Sequence, residues 1–292
     1  MKTLTKLSAF LVGSLMLLAA ISPAFAISSP IEAPGMNSVG INDATAKSIN
    51  WNGNAETGSS VTSASGSWVV PSITGAISST DYFSAIWVGI DGYSDQTVEQ
   101  TGILSETIGG VTTYFAWYEF YPSAMVELPG TVKAGDSITA TVTYAGTSSG
   151  STFPSPSSVF GSPNIAFSNP SNVFPNPGDP FGRAGTKFTV NIADSTEGWS
   201  YTATVTDSST PARSSAEWIV EAPEVSINGG QFKLYSLPDF GVITFTSCTA
   251  AATSLSSPIP ITMINENTGA TMAVPTTLSS GTFTDTWVSA GP

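Results

Sequence analysis

Acidic side chains lie close to large aromatic residues in three segments of this sequence. Trp87 is followed four positions later by Asp91, Glu119 lies in an aromatic run, and Glu221 comes three positions after Trp218. An apolar environment disfavours a charged carboxylate, which raises its pKa and lets it act as an acid or a base. These segments therefore indicate proton-transfer chemistry carried by carboxylates.

The residue types that are missing narrow this chemistry further. The chain of 292 residues contains no histidine and one cysteine, Cys248. Without histidine, the Ser-His-Asp and Cys-His mechanisms and the common zinc sites are excluded. A lone cysteine cannot form an internal disulfide, and no imidazole is present to activate its thiol. An enzyme of this composition would have to use carboxylates, amides, hydroxyls or lysine.

The charge balance argues against two classes of partner. Eight Lys and Arg residues against 21 Asp and Glu residues give a formal net charge of −13. Binding to nucleic acid or to an anionic membrane needs clustered basic residues, so neither partner is expected. Only 10% of the residues are charged. That low fraction fits an acidic medium, and it fits equally well an extracellular protein rich in Ser, Thr and Gly.

The amino terminus has the pattern of an export signal. Lys2 and Lys6 precede an apolar run from Ala9 to Ile21, and an Ala-Phe-Ala cleavage pattern follows at residues 24–26. This predicts a signal peptide over residues 1–26 and hence a secreted, extracellular protein. Residues 27–46 form a Pro- and Ser-containing lead, which is either a tail or a short pro-segment.

Along the rest of the chain, segments rich in Val, Ile, Thr and aromatic residues alternate in polarity from one residue to the next. Turns rich in Gly, Pro, Asn and Ser separate these segments, which predicts β-strands. The clearest are Val61 to Val70, Tyr82 to Ile90, Val98 to Leu104, Val111 to Tyr121, Ser137 to Tyr144, Lys187 to Ile192, Trp199 to Val205, Ser215 to Glu221, Gln231 to Tyr235, Val242 to Ser247, Ile261 to Ile264 and Gly281 to Trp287. No window shows a helical apolar stripe, so we predict an all-β, antiparallel β-sandwich. It forms one domain, residues 47–292, with a Ser- and Pro-rich insertion at about 146–183.

Alternation also assigns the faces of the strands, because neighbouring residues in a strand point to opposite sides. The aliphatic residues of Tyr82 to Ile90 share one face, and Trp87 shares the other with Asp91. The same pattern groups Glu119 and Glu221 with aromatic or apolar side chains. A solvated sheet face would not need tryptophan beside its acids, so this face is predicted to form a cleft. Alternatively, the aromatic residues pack under a long loop and the acids lie at its rim.

Five short motifs, in this order along the chain, resemble the glutamic peptidase (eqolisin) family. They are Asn50-Trp51-Asn52-Gly53, Ser84 to Gly92, Gln100-Thr101-Gly102, Ala116 to Pro122 and Ala216 to Glu221. The resemblance runs from about residue 49 to residue 287, apart from the insertion. It implies a concanavalin-like sandwich of two seven-stranded antiparallel sheets with the substrate cleft on the concave face.

The resemblance also implies roles for individual residues. Gln100 matches the glutamine of the family's Gln-Thr-Gly motif, and Glu221 matches its catalytic glutamate. The supporting or substrate-binding positions are Trp51, Trp87, Asp91 and Glu119, with Tyr121 on the same predicted face. Glu221 would take a proton from the attacking water and return it to the leaving amine, while Gln100 stabilises the oxyanion. The expected protein is a monomeric acid endopeptidase that cleaves polypeptides without a metal or an organic cofactor.

Two other functions stay open from the residues alone. A glycoside hydrolase would need two suitably spaced carboxylates, and Glu217 and Glu221 lie roughly 13 Å apart by strand rise. That exceeds the separations of about 5 to 9.5 Å that such enzymes use, although acids on adjacent strands could still pair. A carbohydrate-binding module would instead stack sugars on the aromatic residues without catalysis.

The chain departs from the family pattern in two further places. Fungal members carry a long basic pro-segment, whereas the lead of this chain spans only residues 27–46. Glu99 occupies a position that is usually apolar, directly before Gln100. Because neighbours in a strand point to opposite sides, Glu99 should point away from Gln100.

Overall fold

The computed structural model describes residues 31–32, 34–36, 38–41, 45–148, 184–207, 209–227 and 231–291. The predicted signal peptide lies outside these ranges, as does the predicted insertion apart from residues 146–148, which belong to a strand. Within the described ranges every element of regular secondary structure is a β-strand. None of the described residues form a helix that is long and apolar enough to cross a membrane.

The strands are numbered in chain order. They are β1 (Ile31–Glu32), β2 (Ser38–Ile41), β3 (Ala46–Ser48), β4 (Trp51–Ser59), β5 (Ser63–Val69), β6 (Tyr82–Ile90), β7 (Val98–Ile108), β8 (Val111–Tyr121), β9 (Val126–Glu127), β10 (Ser137–Ser148), β11 (Gly185–Asp194), β12 (Trp199–Asp207), β13 (Ser215–Glu221), β14 (Glu224–Ile227), β15 (Gln231–Leu234), β16 (Val242–Ala251), β17 (Ser254–Leu255), β18 (Ile259–Ile264), β19 (Thr271–Pro275) and β20 (Phe283–Trp287).

Hydrogen bonds join most of these strands into one continuous ladder. Its order is β9-β8-β7-β6-β13-β4-β18-β19-β20-β16-β5-β10-β11-β12, and the pairs are antiparallel. The short strand β3 is an exception, since it runs parallel to β18. The all-β, antiparallel prediction is confirmed. Because β16 pairs with both β20 and β5, the ladder passes from one layer of the sandwich to the other. The number of strands in each sheet, expected to be seven, stays a prediction.

The faces predicted from alternation are those that the structure shows. Ile86 and Val88 of β6 pack into a core that also contains Val142 of β10 and Val190 of β11. The opposite face of β4, β6, β7, β8 and β13, here called the site face, carries a second apolar cluster. Its members include Trp51, Trp87, Phe83, Trp117, Leu104 and Ile219.

Strand β4 was not predicted, because its sequence lacks an apolar alternation. It is nevertheless central, lying between β13 and β18. Its asparagines are buried, and Asn54 donates to the Thr276 carbonyl over 3.0 Å and accepts from the Leu278 amide over 3.0 Å. Buried amides are tolerated where such partners exist. Here they come from residues more than 200 positions away, which a local pattern does not reveal.

A second buried amide of β4, Asn52, faces the carboxyl group of Asp285 on β20. Asn52 Nδ2 donates to Asp285 Oδ1 over 2.7 Å, while Asn52 Oδ1 and Asp285 Oδ2 are buried without a partner. A proton on Asp285 Oδ2 would let this oxygen donate to Asn52 Oδ1 and satisfy both groups. Burial raises the pKa of Asp285 well above its ordinary value of 3.8, and it outweighs the lowering effect of the Asn52 amide.

This raised pKa makes the fold more stable in acid. The folded chain holds the proton of Asp285 more tightly than the unfolded chain does. The resulting stability is complete below pH 3.8, the ordinary pKa, and is lost as pH rises from there toward the folded-state pKa. Each pKa unit of elevation corresponds to about 1.4 kcal/mol of free energy of unfolding.

We therefore predict that Asp285→Asn flattens the pH dependence of stability. An asparagine can accept from Asn52 Nδ2 and donate to Asn52 Oδ1 at every pH, so the variant should match the parent in acid and exceed it near neutral pH. Chemical unfolding at a series of pH values measures this difference. Asp81→Asn, at an exposed position, is the matched control and should track the parent. A variant that loses stability as steeply as the parent would contradict the paired arrangement.

Candidate active site

Glu221, the last residue of β13, holds its carboxylate on the site face between two N–H donors. Trp87 Nε1 donates to Oε2 over 2.8 Å, and Asn50 Nδ2 donates to Oε1 over 3.1 Å. The side chain is fully buried. Each oxygen thus receives a hydrogen bond from a neutral group, which stabilises the charged form without a cation.

Asn50 is the residue of this site that sequence reasoning missed. It was noted only as the first residue of a motif, although its amide bonds directly to Glu221. Ser48 sets its orientation: Ser48 Oγ donates to Asn50 Oδ1 over 2.8 Å and accepts from the backbone amides of Asn50 and Trp51. This turn before β4 leaves Asn50 Nδ2 directed at the carboxylate. The only signal in the sequence was the Ser-x-Asn-Trp spacing at the start of an unpredicted strand.

Gln100 and Glu119 form the second half of the site. They are direct partners across β7 and β8, and Gln100 Nε2 donates to Glu119 Oε2 over 2.9 Å. The neighbouring Thr101 hydroxyl donates to the Trp117 carbonyl over 2.7 Å, which holds the two strands together. Both Gln100 and Glu119 are fully buried. Gln100 thus lies on the site face beside Glu119.

The indole of Trp87 lies between the two halves. Along β6, Ala85 pairs with Glu221 and Gly89 pairs with Gln100, so Trp87 is midway. A Cβ atom on Gly89 would come within 2.8 Å of Trp87 Cζ3 and 3.2 Å of Gln100 Cβ. The indole therefore reaches from its N–H at Glu221 to the backbone beside Gln100, and the absence of a side chain at position 89 makes room for it.

The electrostatic environment of Glu221 contains opposing contributions. Burial raises the pKa of this carboxyl well above its ordinary value, and the nearby carboxylates of Glu119 and Glu224 raise it further. The hydrogen bonds from Trp87 and Asn50 lower it. Any change that admits water to Glu221 would reduce the largest of the raising effects and leave both donors in place, so the pKa would fall.

Glu217 also lies on the site face. It pairs with Gly89 of β6, which on its other side pairs with Gln100 of β7. Neither of its carboxylate oxygens makes a well-formed hydrogen bond. Burial outweighs the nearby Ser215 hydroxyl and raises the pKa of Glu217 well above its ordinary value. Of the two glutamates of β13, Glu221 is the one whose two carboxylate oxygens each accept a hydrogen bond.

Trp51 and Tyr121 border the site. The rings of Trp51 and Trp87 meet edge to face, with centroids 4.9 Å apart and planes at 76°. Tyr121 is half-buried and lines a cavity of about 670 Å³ together with Tyr93 and Pro122. Tyr121 therefore faces an open cavity, whereas Trp51 is fully buried behind it.

Asp91 lies apart from Glu221, just beyond the other end of β6. Its carboxylate accepts from the backbone amides of Arg213 and Ser214 over 2.7 and 2.6 Å. Burial raises the pKa of Asp91 to about 6, against these hydrogen bonds and with a contribution from Asp95. Asp91 therefore connects the loop after β6 to the segment that precedes β13.

Glu99 is fully buried, and it pairs with Phe120, whose ring belongs to the core between the layers. It thus points away from Gln100, as alternation predicts. Burial raises the pKa of Glu99 well above its ordinary value, and the acids Asp207, Asp91 and Asp95 add to the effect. Among the described residues, no group of three or more His, Cys, Asp or Glu side chains is arranged to hold a metal ion.

Comparisons with known proteins give consistent results. A family model described as the Peptidase A4 family matches residues 49–158 and 183–287. Aspergillopepsin-2 of Aspergillus niger is 27% identical over 261 residues, which cover 82% of this chain and 78% of the relative. Scytalidopepsin B of Scytalidium lignicola is 38% identical over 123 residues, which cover 41% of this chain and 45% of the relative.

Two solved structures share the fold. One is a scytalido-glutamic peptidase with a transition state analog inhibitor, at a TM-score of 0.61 and 23% identity over 82% of this chain and 98% of that chain. The other is SCP-B, of the eqolisin family, in complex with the tripeptide Ala-Ile-His, at a TM-score of 0.58 and 22% identity with the same coverage. Their β-sandwich architecture agrees with the ladder described above.

The hydrogen bond from Trp87 to Glu221 yields a prediction about proton affinity. Trp87→Phe keeps an aromatic ring but removes the N–H that stabilises the anion, so the pKa of Glu221 should rise. Difference infrared titration of the carboxyl band, with Glu221→Gln as the reference, measures that pKa. Trp117→Phe is the matched control, because Trp117 Nε1 is buried on the same face without a hydrogen-bond partner. An equal shift in both variants would show that ring packing, not the donor, controls the pKa.

Proposed function

Because this chain belongs to the peptidase A4 family, and is therefore a glutamic endopeptidase, we propose that Glu221 and Gln100 are its catalytic pair and that it acts in acid outside the cell. Family membership decides against the glycoside hydrolase and carbohydrate-binding alternatives. The observation that carries the proposal is the pair of neutral donors on the Glu221 carboxylate, facing the Gln100 amide across the Trp87 indole.

Glu221 is proposed to act as the general base. A water molecule over the Trp87 indole would lose a proton to Glu221 as its oxygen attacks the carbonyl carbon of the scissile peptide bond. The protonated Glu221 then donates this proton to the leaving nitrogen. The hydrogen bonds from Trp87 and Asn50 support this role because they favour the anion of Glu221 and lower its pKa against the effect of burial.

Gln100 is proposed to stabilise the oxyanion that forms on the attacked carbonyl. A primary amide suits this role because it donates hydrogen bonds and stays uncharged at every relevant pH. Glu119 accepts from the Nε2 group of this amide and thereby fixes its plane, which would direct the amide toward the oxyanion. Glu119 is thus a positioning residue, since it acts through Gln100.

Several observations support activity in acid. Four fully buried carboxyl groups, those of Glu99, Glu217, Glu221 and Asp285, have pKa values raised well above the ordinary range by burial. A chain folded around protonated acids is most stable at low pH and loses that stability as pH rises above their ordinary pKa values. Acid also opens protein substrates, which exposes bonds to cleavage.

The substrates are proposed to be polypeptides, cleaved by a secreted monomer that needs no metal or organic cofactor. One solved relative binds a peptide-based transition state analog and another binds a tripeptide, which supports this substrate class. Export rests on the predicted signal peptide, residues 1–26. The low content of basic residues supports the expectation that nucleic acids and anionic membranes are not partners.

The mechanism predicts an order of severity among substitutions. Glu221→Gln keeps volume and polarity but removes the proton acceptor, so hydrolysis of a short peptide should fall to background. Gln100→Ala should cost on the order of 10² to 10³ in kcat. Because the two residues act as one unit, the double variant should be hardly worse than the worse single variant. Initial rates with an internally quenched peptide measure all three.

Two further variants serve as controls for this order. Glu119→Gln retains an oxygen that can accept from Gln100, and Asp91→Asn changes a carboxylate that lies apart from Glu221, so both should keep measurable hydrolysis. Thermal unfolding establishes that every variant is folded. Retained activity in Glu221→Gln, together with its loss in Glu119→Gln or Asp91→Asn, would overturn the assignment in favour of a pair of acids.

A further inference from the structure

Glu99 of β7 places a carboxyl group in the core between the two layers of the sandwich. It is fully buried, and neither of its oxygens has a hydrogen-bond donor among the described residues. Its cross-strand partner Phe120 packs edge to face on Phe188 of β11, with ring centroids 5.9 Å apart. A buried carboxylate without a donor or a cation is costly, so this position favours a protonated carboxyl.

The group in contact with Glu99 is a second carboxyl, that of Asp207. Asp207 is the last residue of β12 and is buried, and its side chain lies within hydrogen-bond distance of the Glu99 side chain. β12 pairs with β11, which pairs with β10, and these three strands are here called the back layer. Two buried carboxyl groups in contact cannot both be ionised without strong repulsion, so such a pair shares a proton.

The hydrogen bonds around the pair place this proton on Glu99. Asp207 Oδ1 accepts from the Ser209 amide over 2.7 Å, and Asp207 Oδ2 accepts from the Ser209 hydroxyl over 2.6 Å. These donors favour the Asp207 anion, whereas Glu99 has none. A protonated Glu99 can donate its O–H to Asp207, which gives the buried Glu99 carboxyl the partner that it otherwise lacks.

The other acids near the pair increase the proton affinity of Glu99. Burial is the largest effect that raises its pKa, followed by the contact with Asp207 and by the charges of Asp91 and Asp95 in the loop after β6. The folded chain therefore holds this proton more tightly than the unfolded chain does. The stability that it provides is complete below pH 4.5, the ordinary pKa, and is lost as pH rises from there toward the folded-state pKa.

The cations and tyrosines of the adjoining segments do not replace this proton. Arg213 lies over the Tyr144 ring, 4.0 Å from its centroid, and alternation puts Lys187 on the outer face of β11, away from the core. Burial raises the pKa values of Tyr118 on β8 and Tyr201 on β12 above 10, so both stay neutral where carboxyl groups titrate. Among the described residues the pair has no ion-pair partner.

Glu99 directly precedes Gln100, so a contact that holds one of them also holds the other. Their side chains leave β7 on opposite faces, Glu99 toward the back layer and Gln100 toward the site face. The position of the Gln100 amide relative to Glu221 thus depends on how β7 is held against the back layer. A misplacement of about 1 Å in a reacting group can cost roughly 10²-fold in rate.

We propose that Glu99 is a positioning residue for Gln100, because it shares one proton with Asp207 and thereby fastens β7 to the back layer. The positioning role rests on the proposed function of Gln100, whereas the shared proton does not. When the proton is lost, two buried carboxylates are left in contact, and their repulsion moves β7 away from the end of β12. The position of Glu99 is usually apolar in the glutamic peptidase family, so this fastening is a property of this chain.

The pH dependence of stability tests the shared proton. In Glu99→Gln the amide can donate to Asp207 at every pH, so the variant should lose stability less steeply than the parent as pH rises above 4.5. Asp207→Asn, whose amide can donate to the Glu99 carboxylate, should flatten the slope in the same way. The double variant should flatten it no further, because only one proton is shared. Chemical unfolding at a series of pH values measures these slopes, with Glu266→Gln at an exposed position as the matched control.

The two single variants distinguish a shared proton from a buried acid that titrates alone. If Glu99→Gln flattens the slope and Asp207→Asn leaves it as in the parent, Glu99 titrates alone and the shared proton is overturned. Parent-like slopes in both variants would also overturn it. Should Glu99→Gln not fold, Asp207→Asn carries the same test, because it leaves Glu99 in place.

The pH profile of kcat tests the positioning of Gln100. Above pH 4.5, in the range where thermal unfolding shows the parent to be folded, its kcat should fall about tenfold or more below that of Glu99→Gln, at similar KM. If Gln100→Ala keeps the rate of the parent, the catalytic assignment of Gln100 fails, and the shared proton is judged by the stability slopes alone. If Gln100→Ala loses activity while the parent and Glu99→Gln have the same kcat profile, the positioning role of Glu99 is wrong.

Discussion

The structure depends on placing a carboxylate in an apolar face without a cation. Among the described residues one ion pair is present, between Lys133 and Glu197, and it lies at the surface. Glu221 is balanced instead by an indole N–H and an amide N–H. These donors belong to β6 and to the turn before β4, so β13 has to lie between these two strands, which is the order that the ladder shows.

The same constraint affects how the stability of the fold depends on pH. Burial raises the pKa of Glu99, Glu217, Glu221 and Asp285, so the folded chain favours the protonated form of each more than the unfolded chain does. Asp285 shows this most simply, because its Oδ1 accepts from Asn52 while its buried Oδ2 has no hydrogen-bond partner. Glu221 differs because each of its two carboxylate oxygens accepts a hydrogen bond, which lowers its pKa against the effect of burial.

The sequence allowed the fold class and most of the site to be predicted, because these depend on local signals. Strands β6, β8 and β13 have strong alternation, which placed Trp87 and Glu119 correctly on one face. The residues that escaped prediction depend on distant partners. β4 has a polar sequence, and it can be buried because its amides bond to residues near the end of the chain. Asn50 donates to Glu221 from an amide whose orientation is fixed by the Ser48 hydroxyl.

The proton affinity of Glu221 depends on two opposing effects. Burial is the largest effect and raises the pKa of this carboxyl, whereas the hydrogen bonds from Trp87 and Asn50 lower it. Water that reached the carboxylate would weaken the effect of burial and would leave both hydrogen bonds in place. Opening of the site face would therefore favour the anion, so that access to Glu221 and ionisation of Glu221 would change together.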